Sequence, residues 1–200
     1  MITFQKIRWK NFLSTGDHWS EIDFLGHTTN LVVGTNGSGK STMLDALTFS
    51  LFNKPFRKIN KSQLINATNE KDCVVEVEFT VNNKDYLVRR SIKPNKFDIE
   101  VNGTLLHKES DDRLNQKILE ESILKVNYKS FTQIVILGSS SFVPFMQLST
   151  SNRRDVIEDL LDIRIFSAMN NLIKEKIRTE KEKIRSCLLY TSDAADEPSS

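Results

Sequence analysis

Residues Gly34-Thr35-Asn36-Gly37-Ser38-Gly39-Lys40-Ser41 fit the pattern G-x-x-x-x-G-K-[ST], whose residue types suit one task, cradling the phosphates of a nucleotide. Glycine allows backbone turns that a Cβ would forbid, so successive N–H groups can converge on phosphate oxygens. Lys40 adds a point charge for the terminal phosphates and is the candidate catalytic group. Ser41 offers a hydroxyl to Mg²⁺, and Thr42 completes the candidate nucleotide-binding set, in which Asn36 can aim its amide toward the γ-phosphate.

Such a loop works only between a strand and a helix. Leu31-Val32-Val33 reads as a buried strand entering it, and Thr42 to Phe52 as a largely buried helix whose N-terminus faces the anion. Ile2 to Phe12 alternates as a strand, with Ile22-Asp23-Phe24 as a short partner. After the helix comes the basic, proline-punctuated stretch Lys54 to Lys61. It is read either as a solvated loop or as a contact with phosphate or DNA, with Arg57 and Lys58 its candidate DNA-binding residues.

An antiparallel meander follows. Cys73, Val75, Val77, Phe79 and Val81 share one face, and Asn82 to Asp85 supplies a turn. Tyr86, Val88 and Ile92 return, Phe97, Ile99 and Val101 make a third strand, and Asn102-Gly103 marks a hairpin. Small kinases and GTPases usually continue instead with alternating parallel strands and helices. Ser110 or Asp111 can cap a helix through Leu114 and Ile118, and the apolar run Phe131 to Leu137 reads as a buried strand before the Gly138–Ser141 loop. Asn152 to Arg185 reads as one long helix, straight or kinked, whose apolar stripe narrows to Phe166, Met169, Ile173, Ile177 and Ile184, the pattern of a helix entering a coiled coil.

The 200 residues carry 28 basic and 26 acidic side chains, so net charge excludes no partner class. No apolar run reaches bilayer-spanning length, and the opening residues read as a strand rather than a leader; the expectation is a cytoplasmic protein with no membrane partner. Cys73 and Cys187 are too few for a disulfide framework and lack metal-ligand spacing. From Cys187 the charged helical pattern stops abruptly, and 187–200 reads as a non-native, adapter-like tail. Without its three acids the balance is 28 basic against 23 acidic. The expected organisation is therefore a lobe at 1–150, a long helix at 151–186 and that tail.

The chain resembles the N-terminal part of the SbcC-type coiled-coil DNA-repair ATPases, relatives of structural-maintenance-of-chromosomes proteins. The likeness lies in Ile7 to Phe12, Gly34 to Thr42 with Asp45 to Phe52, and several stretches like the phage branch: Lys54-Pro55-Phe56-Arg57, Gln63 to Asn69, Ser130 to Gly138 and Phe145 to Thr150. The resemblance implies an α/β fold: a P-loop NTPase, ABC-type head half-domain with an antiparallel meander and a long C-terminal helix beginning a coiled coil. It implies ATP and Mg²⁺ as cofactors, a second copy of the chain as head-to-head partner, a calcineurin-like phosphoesterase subunit, and double-stranded DNA ends. Relatives carry a Gln-Gly pair in the metal-sensing loop, whereas Leu137 to Ser141 has no glutamine; Gln133 is the candidate metal-facing residue, with Ser139 to Ser141 or water as alternatives.

Arg8 and Lys10 are further candidates for lying near the nucleotide. No strand ending in an Asp-Glu pair follows Ser41, and no Ser-Gly-Gly signature segment or switch histidine appears, so these residues alone are expected to hydrolyse ATP negligibly. The function implied is the ATPase subunit of a DNA-break repair or recombination exonuclease, with ATP-driven head dimerisation gating the nuclease. A coiled-coil ATPase tethering DNA without a nuclease, and an unrelated P-loop kinase, are the alternatives.

Overall fold

The computed structural model describes residues 2–106, 111–136, 145–161 and 163–195. Its centre is one antiparallel sheet of six strands: β1 Ile2–Lys10, β2 Ser20–Asp23, β3 Cys73–Val81, β4 Lys84–Ile92, β5 Lys96–Val101 and β6 Thr104–Leu105. Their order is β2-β1-β3-β4-β5-β6. Cross-strand rows fix the register. Ile22, Ile7, Val77, Val88 and Ile99 lie opposite one another on one face. One residue along, Glu21, Arg8, Glu76, Arg89 and Asp98 form a row of alternating charge on the other. Arg8 and Arg89 both donate to Glu76, which the sheet buries, so a one-residue slip would expose the first row and bury unpaired charge from the second. Two of the hairpins, β3–β4 and β5–β6, turn through left-handed residues, Asn82 (φ 50°) with Asn83 (φ 61°) and Asn102 (φ 50°) with Gly103 (φ 77°), as such two-residue turns require.

Helix α1 (Thr42–Phe52) packs on the apolar face. Phe49 and Leu51 are fully buried there among Phe12, Val77 and Phe79, and Phe52 meets Phe131 at 5.1 Å between ring centroids. Its hydroxyls stay satisfied inside the helix, Thr48 donating to Leu44 O at 2.9 Å and Ser50 to Leu47 O at 2.9 Å. Its C-terminal carbonyls are met from strand β4 and from the later segment that carries Gln116. Arg90 Nε donates to Ser50 O at 3.0 Å and Gln116 Nε2 to Leu51 O at 2.9 Å, while Arg90 stacks on Phe97. Burial lowers the Arg90 guanidinium to about 9, still charged at neutral pH where it faces the negative end of the helix. Burial likewise raises the Cys73 thiol to about 12, the behaviour of a small apolar residue on a strand.

The remaining helices are α2 (Asp112–Lys117), capped by Asp111 and continued by a π-helical turn over Ile118–Leu124, then α3 (Tyr128–Ile134). The chain divides into two units, Met1–Val156 and Ile157–Ser200. Helix α4 covers Thr150–Leu160, and α5 covers Arg164–Ala195.

Three expectations are corrected. Leu31-Val32-Val33 is not a strand: no described strand pairs with it, and Leu31 and Val33 are 88% and 80% exposed. An apolar run becomes a buried strand only when neighbours take its hydrogen bonds and cover its side chains, and these residues find neither here. Phe131 to Ile134 is helical, because the Asn127 side chain accepts from Ser130 N at 2.8 Å and starts a helix that buries Phe131. The single long helix is two, α4 and α5, and α5 runs unbroken past Arg185 to Ala195.

Candidate nucleotide-binding site

The loop before α1 has the backbone that its glycines predict. Gly37 and Gly39 adopt φ values of 86° and 91°, which a side chain rarely tolerates. A Cβ on Gly34 would lie 2.5 Å from Ser38 Oγ, so the loop closes tightly there. Ser38 N donates to Thr35 O and Thr42 N to Gly39 O, whereas the amides of Gly37, Gly39 and Lys40 donate to no carbonyl among the described residues. The Lys40 ammonium bends back onto Gly34 O at 2.6 Å and Thr35 O at 2.7 Å. A positive side chain parked on two exposed carbonyls, beside uncommitted amides at a helix N-terminus, is chemistry ready for an anion. The residues present therefore fit a nucleotide's phosphates.

A cavity of about 480 Å³ opens here. One wall is Asn36, Gly37, Gly39, Lys40, Ser41 and Thr42. The facing wall comes from two other segments, Leu13 and Ser14 after β1, and Arg57, Gln63, Ile65 and Ala67 after α1. Nothing in the motif pointed to that second wall.

Arg57 is fixed by a residue that sequence reasoning passed over. Asp45, in the first turn of α1, is fully buried and accepts from Arg57 N at 2.9 Å, Arg57 Nε at 2.6 Å and Arg57 Nη2 at 2.6 Å. A carboxylate standing alone among Met43, Leu44, Ala46 and Leu47 was the available signal, since a buried charge demands a partner. Nearby, Tyr128 donates to Pro55 O at 2.8 Å, and its phenol is held above its usual range by burial and then by the Asp45 charge. The basic stretch is thus not uniform. Arg57 is bound to Asp45, the Lys54 ammonium lies over the Tyr128 ring, Lys61 is lowered by burial and by Arg90, and Lys58 is exposed.

Gln133 sits in α3, its Oε1 buried without a hydrogen-bond partner among the described residues. The Gly138–Ser141 loop, with Ser139 to Ser141, lies outside the described residues. Arg8 and Lys10 do not line the cavity; on the charged face of the sheet they engage Glu76 and Asp17 and flank the Trp19 ring. Among the described residues, no cluster of three or more His, Cys, Asp or Glu could hold a metal, and no helix is long and apolar enough to cross a membrane.

A family model described as "AAA domain" matches residues 6–192. Exonuclease subunit 2 of Enterobacteria phage T4 is 43% identical over 172 residues, covering 86% of this chain and 30% of that protein. One of the subunits of the nuclease SbcCD from Staphylococcus aureus is 30% identical over 182 residues, covering 82% of this chain and 18% of that protein. The chain thus spans less than a third of the length of these curated relatives. A chain solved in work on ATP-driven dimerization and DNA-stimulated activation of SMC ATPases superposes with a TM-score of 0.56 at 24% identity, covering 79% of this chain and 99% of that one. That likeness shows the fold: the chain shares the arrangement of sheet and helices of that SMC ATPase chain.

Proposed function

The chain belongs to the AAA domain family, and on that premise we propose that it is the nucleotide-binding N-terminal part of an ATPase subunit of a DNA-repair or recombination exonuclease. The observation that carries the reading is the Lys40 ammonium on the carbonyls of Gly34 and Thr35, beside uncommitted loop amides at the start of α1. The Gly34–Thr42 residues hold the phosphates of ATP, with Lys40 on the terminal ones and the Ser41 hydroxyl directed to the metal. Mg²⁺, held at the Ser41 hydroxyl, would supply positive charge to offset that of the phosphates. Catalysis then rests on positioning and charge stabilisation, which these residues supply only in part.

The exposed Leu31-Val32-Val33 supports the same reading. An apolar segment entering a phosphate loop calls for covering strands, and a distant C-terminal segment of the same polypeptide, returning through a coiled coil begun by α5, would provide them. Exposed Phe166, Met169, Ile173 and Ile177 on α5 suit that coil. A second copy would then complete the ATP site and a phosphoesterase-type nuclease partner would cut DNA, in keeping with the nuclease names of the relatives. The test is sedimentation of the full-length protein with a hydrolysis-resistant ATP analogue and Mg²⁺. A monomer-to-dimer shift lost in Lys40→Met is expected, and an unchanged monomer would remove ATP-driven dimerisation from the account.

DNA contact falls to Lys58, because Arg57 is committed to Asp45. Lys58→Glu should lower DNA affinity several-fold and reduce the salt slope by about 1. Equal affinity and slope in a salt titration by fluorescence anisotropy would take Lys58 out of the interface.

A further inference from the structure

Asn11, Asn66 and Asn69 lie outside the lining of the cavity, yet they tie together the two segments that form its second wall. Asn11 directly follows β1, is 1% exposed and has φ 50°, a left-handed conformation that asparagine tolerates better than most residues. Every polar group it carries is used. Its N–H donates to Gly16 O at 2.8 Å and its carbonyl accepts from Asn66 N at 2.9 Å. Its side-chain Nδ2 donates to Asp17 Oδ1 at 3.1 Å and Asp72 O at 3.3 Å, and its Oδ1 accepts from Asn69 Nδ2 at 2.6 Å.

Asn66 continues the tie. Its Nδ2 donates to Leu13 O at 3.1 Å, and its Oδ1 accepts from Thr68 N and Asn69 N, both at 3.0 Å. Leu13 N donates to Leu64 O at 2.6 Å, and Phe12 bridges to Ile65. Between these bonded residues stand Leu13, Ser14, Ile65 and Ala67, which face the phosphate loop across the cavity. The side chain at position 11 must donate and accept at once. Aspartate there would set a second carboxylate against Asp17, and an aliphatic residue would leave the half-buried Asp72 carbonyl and Asn69 amide without this partner.

We infer that Asn11, through Asn66 and Asn69, is a positioning residue of the nucleotide site: it sets the distance of the Leu13–Ser14 and Ile65–Ala67 wall from the phosphate loop. The inference rests on the proposed nucleotide reading of that cavity. It makes binding depend on side chains that never touch the ligand.

The experiment is calorimetric titration of the full-length protein with MgATP, paired with thermal unfolding of the nucleotide-free form. Asn11→Gly keeps the left-handed backbone and deletes only the side-chain bonds, and it should weaken MgATP binding about tenfold. Asn69→Ala deletes one bond and should weaken binding about threefold. Val88→Ala, in the sheet core, serves as a control that lowers the unfolding temperature without reaching the cavity wall, and its affinity should match the unaltered protein. If the unaltered protein takes up no MgATP, the nucleotide reading falls and this inference falls with it. If it binds, and folded Asn11→Gly and Asn69→Ala bind equally well, the positioning role alone is overturned. Weakening by Val88→Ala to the same extent also overturns it, because general softening would then explain the loss. Should Asn11→Gly fail to fold, Asn69→Ala decides on the same criteria.

Discussion

Lys40→Met lowers MgATP affinity about a hundredfold or more while leaving the nucleotide-free fold within about 1 kcal/mol of its original stability. The two halves have separate causes. The ammonium holds Gly34 O and Thr35 O, carbonyls of an exposed loop that water can serve equally well, so little stability goes with it. Methionine retains most of the apolar stem. Toward a triphosphate the same group makes charge-assisted bonds that water does not replace, each worth about 1.5–3 kcal/mol. Titration calorimetry and urea denaturation of the full-length protein read the two halves independently. Affinity within threefold of the unaltered protein would mean that the anion is held by amides alone or binds elsewhere.

Readability of the sequence followed how far each signal is local. The phosphate loop, α1 and the β3–β4 and β5–β6 turns were legible because their determinants lie within a few residues: glycines at positive φ, an apolar helix after the loop, Asn-Asn and Asn-Gly between alternating strands. Leu31 to Val33 was misread because three apolar residues say that they need cover, not whether cover is present. Phe131 to Ile134 was misread because a short apolar run carries no decisive period, and the Asn127 cap that selects a helix is a weaker mark than the hydrophobic stretch after it. The second wall was illegible for a different reason. Asn11 meets Asn69 across a gap of 58 residues, and Asp45 meets Arg57 across 12, so nothing beside any of them along the chain names its partner.

The Asp45–Arg57 pair gives the second large effect, and its sign can be argued from asymmetric burial. Asp45 is fully buried, whereas the Arg57 side chain is 47% exposed. Arg57→Ala strips two of three donors from a buried carboxylate and leaves it only the backbone amide of position 57, at 2.9 Å. Breaking a fully buried pair costs about 3–5 kcal/mol. The surviving amide, the favourable end of α1 and partial solvent access bring the expected loss to about 2–3 kcal/mol. Asp45→Asn keeps the shape, buries no charge and leaves a guanidinium that water reaches, so about 1 kcal/mol is expected. Urea denaturation should therefore rank Arg57→Ala as the more damaging change; the reverse order would mean that Asp45 is not the buried charge the pair is built around. The same asymmetry bears on the site. Asp45 holds Arg57 against the cavity from beneath, so Asp45→Asn should loosen that side chain and weaken nucleotide binding with little loss of fold. Charge reversal at Arg57 would instead mix unfolding with any loss of DNA contact, which is why exposed Lys58 is the cleaner position from which to probe DNA.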